Sequence, residues 1–323
     1  MVKIGVIGCG HISQKLSRTF RMMRNAGEEI NLLACAARDL DKAEAFARAE
    51  GYERFYGSYE AMLQDPDVDL VYIGTPHSHH YEHMKLCLSH GKHVLCEKSF
   101  TINAQQAREV LDLAKQKGLL CAEAIWPRYM PSYPIIRELI KEIGGATYIA
   151  SDLFYEMEHI ERIVKPELAG GALLDIGIYA VTFARMYMGS DIVRVETCAQ
   201  LTEQGVDRQS SIILFGENGC VAHLSSGICA NAGQHTLIAG PRGSIVVDNV
   251  FDPMHVTVTV DGASRVVDMP EQFTGYEYEV RACMEAIRNG WTECPAMPHE
   301  EIVLVMKLMD DCREKWGMKY PQE

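Results

Sequence analysis

The chain opens "VKIGVIGCGHIS", a β-branched run, a glycine-rich turn and the start of a helical pattern. This order constrains the fold more than any other feature of the sequence. Gly8 and Gly10 fill the first two places of G-x-G-x-x-G: the first permits a tight turn, and the second lets a pyrophosphate approach the backbone. The helix that follows, starting at His11 and Ile12, offers unpaired amides and a positive dipole end to that anion. Ser13 stands where the pattern has its third glycine, and it is small enough for close helix packing. The motif is weak alone and strong here, because it opens a strand–helix alternation.

That alternation continues. Val2–Ile7, Ile30–Ala37, Val68–Gly74, His93–Cys96 and Leu119–Glu123 read as strands, and helical stretches fall near 11–26, 40–50, 58–64, 78–90 and 103–117. Strands alternating with helices predict a parallel sheet covered on both faces, with right-handed crossovers. A Rossmann doubly wound domain over 1–123 is expected. The 323 residues exceed what one core usually supports, so a second domain is expected over 124–323. Three prolines within "PRYMPSYP" mark the crossing. Beyond it come a helix (133–143), a strand ending near Tyr155 and an apolar helix (170–187). Short strands then fill 192–268, with turns at "GENG", "GPRG" and "VDGAS", and helices over 275–289 and 299–315 close the chain. The second domain is therefore predicted to be α/β with a large, mostly antiparallel open sheet.

The formal net charge of −13 opposes a nucleic-acid footprint or an electrostatic membrane surface. No stretch approaches the roughly 18 uninterrupted apolar residues of a spanning helix, and the N-terminus shows no apolar leader segment. The 11 cysteines are odd in number, form no C-x-x-C and lie mostly in apolar runs, as expected of reduced thiols in a cytoplasmic protein.

The second strand ends "LACAARD". An NAD site usually holds a ribose 2′-hydroxyl with an acid near this point. Ala37 offers none, and the guanidinium of Arg38 suits a 2′-phosphate. NADP is the favoured cofactor. NAD stays open, because Arg38 also reads as an exposed helix start, with Asp39 as its cap or as the ribose-binding acid in another register. In "GTPHSHHYEH", Thr75, Pro76 and His77 fall at the carboxyl end of a strand, where ligands bind such sheets, and His80 joins them as a cofactor candidate. The histidines at 77, 79, 80 and 83 lack H-E-x-x-H and acidic partners at ligand spacing, so no metal is expected. Glu97 and Lys98 end the fifth strand, as a functional pair beside the nicotinamide or as a plain ion pair. Asp175 and Tyr179 sit four residues apart, on one helix face. They read as a catalytic pair, or as a helix-start carboxylate with a core tyrosine. Trp126, Arg128, Phe154 and Tyr155 are candidates for the substrate pocket, or for packing.

Gly8-Cys9-Gly10, "TPHSHH", "CEKSF", "EAIWPRYMP" and "GGALLDIGIYAV" together resemble the Gfo/Idh/MocA family of NAD(P)-dependent oxidoreductases. "AARD", "GSYE", "LCEK" and the ending "YPQ" resemble its dimeric dihydrodiol dehydrogenase branch, which also oxidises D-xylose. The resemblance implies that Lys98 is the catalytic lysine and Tyr179 the general acid/base, where many members carry histidine. It implies that Asp175 is the helix carboxylate and that Trp126 and Arg128 lie near substrate. It also implies a homodimer or larger homo-oligomer formed through the second sheet. The family usually has proline after the lysine; here it is Ser99. A free phenol titrates near ~10, and a neighbouring ammonium would bring Tyr179 into range for proton transfer. The implied reaction moves a hydride between NADP and a secondary alcohol of a sugar, polyol or cyclic diol. Two rival readings are a hydride-borrowing NAD-dependent lyase or glycosidase and a cofactor-binding sensor without turnover.

Overall fold

The computed structural model describes residues 1–323. It divides into two compact units, residues 1–126 with 272–303 and residues 127–271 with 304–323. This differs from a single cut after residue 123. Residues 272–303 group with the first unit because they are bonded to it: Thr274 to Thr19 at 2.7 Å, Arg281 to Glu28 at 2.8 Å, and Tyr276 stacked on Trp126 at 4.5 Å.

In the first unit, β1 (Val2–Ile7), α1 (His11–Asn25), β2 (Ile30–Ala36), α2 (Leu40–Glu50), β3 (Arg54–Tyr56), α3 (Tyr59–Leu63), β4 (Leu70–Ile73), α4 (His77–Ser89), β5 (His93–Glu97), α5 (Ala104–Lys117) and β6 (Cys121–Ala124) alternate as expected. The sheet is wholly parallel in the order β3-β2-β1-β4-β5-β6, a doubly wound arrangement that reverses direction between β1 and β4. Strand β3 escaped the sequence pattern, because three partly exposed residues give no hydrophobic signal. The central strands are almost wholly buried, which explains their unbroken apolar runs. Helix boundaries follow local chemistry. Asp39 caps α2 through the amides of Asp41 and Lys42, Asn103 caps α5 through that of Gln106, and Gly51 and Gly118 end these helices in the left-handed region.

In the second unit come α6 (Ser132–Glu142), β7 (Tyr148–Phe154), α7 (Glu161–Val164) and α8 (Ile178–Tyr187). The strands are β8 (Ile192–Leu201), β9 (Asp207–Gly216), β10 (Val221–Gly227), β11 (Gly233–Gly240), β12 (Gly243–Val247), β13 (His255–Val260) and β14 (Ala263–Asp268). They form one sheet in the order β14-β13-β12-β11-β7-β10-β9-β8, antiparallel except for β7 beside β10. Helix α9 (Glu277–Asn289) belongs to the first unit, and α10 (His299–Trp316) closes the chain.

The expected 170–187 helix is built differently. Leu173–Gly177 is a π-turn that runs into α8. Pro166–Tyr187 is long and apolar enough to cross a membrane by composition, yet most of its apolar run is buried inside the protein. It is a core segment packed against the large sheet.

Candidate active site

The turn after β1 is shaped by what a side chain there would meet. Gly8 has φ +91°, and a Cβ on it would lie 2.9 Å from the Gly74 carbonyl oxygen. Only glycine fits that approach. Gly10 faces open space, which leaves its backbone accessible to a ligand. Ser13 closes the turn by donating its hydroxyl to the Gly8 carbonyl. Its Oγ would lie 2.4 Å from a Cβ on Gly74, so the space that the third glycine usually saves at Ser13 is saved at residue 74 instead.

An open pocket lies at the carboxyl ends of β1, β2 and β4. Gly8, Gly10, Arg38, Thr75 and Pro76, all cofactor candidates from the sequence, line it together with Cys9, Lys42 and Tyr59, which were not among those candidates. Arg38 and Lys42 bring two exposed cations to the rim. Asp39 also borders the pocket, but its Oδ1 accepts from the amides of Asp41 at 2.9 Å and Lys42 at 3.3 Å. The place of Lys42 in the first turn of α2, just after Arg38 and the Asp39 cap, was the available signal for it.

His11 and Ile12 form the first turn of α1, the one exposed and the other half-buried. His77 is buried, with its ring edge-on to His80 at 5.7 Å. His80 has no exposed surface, and its ring nitrogens face the carbonyls of Thr75 at 2.7 Å and Ser99 at 2.8 Å. Burial pushes its pKa down to about 4, so the ring is neutral and donates through one nitrogen. His80 thus fills the space between the Thr75 turn and the backbone beside Lys98, bonded to one of the two carbonyls, rather than lining the pocket. His83 bonds Thr75 Oγ1 at 3.0 Å and is likewise pushed down to about 4, chiefly by burial. No three histidine, cysteine or acidic side chains converge in a metal-ligating arrangement.

At the end of β5, Lys98 is half-buried, while Glu97 turns inward and accepts from Tyr72 Oη at 2.6 Å. Beneath it lies a carboxyl absent from the sequence prediction. Glu279 is fully buried, and neither of its oxygens has a hydrogen-bond partner. Burial, then the proximity of Glu97, Cys294 and Glu123, holds it well above the usual carboxylate range, so it is a neutral acid. Its place in the first turn of α9 disguised it as an ordinary helix-start acid. Glu277 does that work, accepting from the amides of Phe273 at 2.6 Å and Thr274 at 3.0 Å. Trp126 is buried against Tyr276.

In the second unit, "GGALLD" is explained by sterics. A Cβ on Gly170 would lie 2.2 Å from the Ile163 carbonyl. A Cβ on Gly171, which has φ +111°, would lie 2.1 Å from Asp207 Oδ1. The chain enters the π-turn here, and Leu173 donates its amide to Asp207 Oδ2 at 2.7 Å. Asp175 is buried and accepts from Arg162 Nη1 at 2.8 Å, a partner not anticipated. Tyr179 is half-buried in α8, edge-on to Phe251 at 4.4 Å. It borders a small pocket with Thr182, Phe183 and Val250. Arg128 is buried, with its guanidinium 5.6 Å from the Tyr133 ring centre. Phe154, at the end of β7, is half-buried, and Tyr155 accepts from Gln234 at 2.6 Å.

Comparison with known proteins decides the family. Residues 2–124 match the oxidoreductase family with an NAD-binding Rossmann fold, and residues 135–246 match the GFO/IDH/MocA C-terminal domain. The chain is 34% identical to a trans-1,2-dihydrobenzene-1,2-diol dehydrogenase of Xenopus tropicalis, over 99% of both chains. It belongs to the Gfo/Idh/MocA oxidoreductase family. The chain is an NAD(P)-dependent oxidoreductase, and the pocket of the first unit offers what a dinucleotide requires: an accessible Gly10 backbone, a helix N-terminus and two rim cations. Among solved structures, a 3-ketoreductase from Actinomadura kijaniata in complex with NADP and TDP-benzene is 25% identical, with a TM-score of 0.85 over 97% of both chains. A levoglucosan dehydrogenase in complex with NADH and L-sorbose shares the fold, with a TM-score of 0.86 and 19% identity over 98% of this chain and 97% of that one.

Proposed function

We propose that this chain is an NADP-dependent dehydrogenase of secondary alcohols on a cyclic diol or sugar, with Tyr179 as general acid/base and Lys98 as its supporting cation. One observation carries the cofactor preference. The acid nearest the ribose position, Asp39, is engaged with the amides of α2, and Arg38 and Lys42 stand at the rim instead. Two cations favour a 2′-phosphate, and a guanidinium matches it with a forked donor set. The substrate class is supported by the relatives named as dihydrodiol dehydrogenases, which align over the whole chain.

When bound, the dinucleotide supplies hydride transfer. Tyr179 takes the hydroxyl proton as the alcohol becomes a carbonyl and returns it in the reverse direction. The Lys98 ammonium favours the phenolate. Arg162 pairs with Asp175 and fixes it one turn before Tyr179. His80, seated between the carbonyls of Thr75 and Ser99 and donating to one of them, packs against the backbone on which Lys98 stands. In the same reading the subunits meet through the open sheet, where Val246, Thr257 and Val266 lie side by side across β12, β13 and β14, and light scattering should find a dimer or larger assembly.

The test is a panel of aldoses, polyols and trans-dihydrodiols assayed with NADP+ and NAD+ separately, following absorbance of the reduced nicotinamide. NADP+ should be preferred, and Tyr179→Phe should lower kcat by about 100-fold or more while NADPH still binds. A Tyr179→Phe enzyme that turns over at the wild-type rate would end the acid/base assignment. Wild-type protein that binds NADPH and oxidises nothing in the panel would favour the sensor reading.

A further inference from the structure

The segment that carries Asp175 and Tyr179 is entered through Gly170 and Gly171. Clearance requires glycine at both, yet glycine has the widest backbone freedom of any residue. Nearby chain holds their amides, Gly170 to the Lys165 carbonyl at 3.1 Å and Gly171 to that of Ile163 at 2.7 Å. The Gly170 carbonyl is held from much further along the sequence. Tyr320 donates its hydroxyl to it at 2.7 Å, and Gln322 donates its side-chain amide to the neighbouring Glu167 carbonyl at 2.6 Å. All of these residues lie in the second unit.

The stretch after α10 is built to keep Tyr320 in that place. Its ring is buried, with the Arg313 guanidinium 4.8 Å from the ring centre. Arg313, in the last turn of α10, donates to both carboxylate oxygens of Glu323 at 2.8 Å and to Asp310 at 2.8 Å. Glu323 also accepts the Tyr320 amide at 2.9 Å, so residues 320–323 close into a turn around the guanidinium. A two-pronged pair fixes geometry as well as attraction. Side-chain exposures of 4% for Arg313 and 18% for Glu323 leave water little room to compete, unlike the usual surface pair.

We propose that Tyr320 is a positioning residue for the active site, fixing through Gly170 the segment on which Asp175 and Tyr179 stand. The proposal rests on the reading of Tyr179 as general acid/base. Gly170 is buried, so its carbonyl would have no ready water to replace the Tyr320 hydroxyl and would have to move to find a donor. Between Gly170 and Tyr179 the chain is the π-turn and the start of α8, whose hydrogen bonds pass a shift on rather than absorb it. Proton transfer is sensitive to such shifts: a misplacement of about 1 Å costs on the order of 100-fold in rate.

Full-length wild type and Tyr320→Phe would be compared by NADPH titration, amide hydrogen exchange and steady-state oxidation of the panel alcohols. The NADPH Kd should be unchanged, since the nucleotide pocket is formed in the first unit. Exchange in peptides covering 166–179 should be about fivefold faster, the factor set by one net hydrogen bond. The kcat per NADPH-binding site should fall by about tenfold. In a Tyr179→Phe background the second substitution should cost less than about twofold in residual turnover, because the phenol it positions is gone. A purely structural role would move none of the kinetic readouts. Glu323→Gln, which loosens the turn around Arg313 without touching Gly170, should reproduce both effects, and it decides the question if Tyr320→Phe does not fold. Unchanged exchange over 166–179, wild-type kcat in Tyr320→Phe, or the same fall repeated in the Tyr179→Phe background would each overturn the proposal. Wild-type turnover by Tyr179→Phe alone would overturn the acid/base reading, and the exchange measurement, which needs no chemistry, tells the two failures apart.

Discussion

Replacing Asp207 with asparagine probes the electrostatics beneath the segment that carries Asp175 and Tyr179. The Asp207 carboxyl is fully buried, with Oδ2 on the Leu173 amide and Oδ1 without a partner. Burial pushes its pKa up to about 7, outweighing the backbone amides and Arg313, which favour the charged form. The sign follows from proton counting. Between 3.8 and about 7 the folded chain keeps a proton that the unfolded chain has lost. The stability this group contributes is full below the unfolded value and disappears as pH rises through the window. With those two values, linkage gives a loss of roughly 2–3 kcal/mol between pH 5 and pH 8.

Asparagine keeps an acceptor for Leu173 but cannot ionise, so Asp207→Asn removes the pH-dependent part. Its amide group, placed where Oδ1 has no partner, adds a cost of about 1–3 kcal/mol at every pH. Urea unfolding of both proteins, followed by circular dichroism at four pH values from 5 to 8, separates the two contributions. The stability of the variant relative to wild type should climb by roughly 2–3 kcal/mol across that range, whatever its starting offset. A difference that stays flat with pH would refute the reasoning, since Asp207 would then ionise as readily in the folded chain as in the unfolded one.

Glu279→Gln should be at least as stable as wild type at pH 8 and should gain on it as pH rises, because the buried acid it replaces resists ionisation; thermal melts in which the variant loses ground with rising pH would contradict this. Arg162→Ala should destabilise by about 2 kcal/mol, less than the roughly 3–5 of a wholly buried pair, since the guanidinium is half exposed while Asp175 is not. Unchanged urea midpoints would show that other groups suffice for Asp175. Gly74→Ala should weaken folding by about 2 kcal/mol by displacing Ser13 from the Gly8 carbonyl, and adding Ser13→Gly should recover at least ~1 kcal/mol of that loss. Strict additivity of the two substitutions would mean that they do not share the space between α1 and the end of β4.

That last pair also shows what a sequence can and cannot reveal. The parallel sheet was legible because buried strands must be apolar on both faces and because Gly8 has one conformational purpose. The Gly8–Gly10 turn, Arg38 and the Thr75–Pro76 turn followed from where such sheets bind ligands. Ser13 looked like a weakened motif, yet the close approach it seemed to forfeit is kept by Gly74, some sixty residues away, and no local reading joins the two. The same limit hid Glu279 and Asp207. Each occurs in an unremarkable stretch, a helix start and a strand edge, and becomes unusual only because distant chain buries it without a partner. "GGALLD" was recognisable as a pattern, but its cause is a carbonyl at Ile163 and a carboxyl at Asp207. Patterns set by a residue's own backbone or by strand and helix periodicity can therefore be read in one dimension, whereas charges and clearances imposed by folding cannot. The groups that most perturb this candidate site, Asp207 under Leu173 and Glu279 beneath Glu97, are both of the second kind.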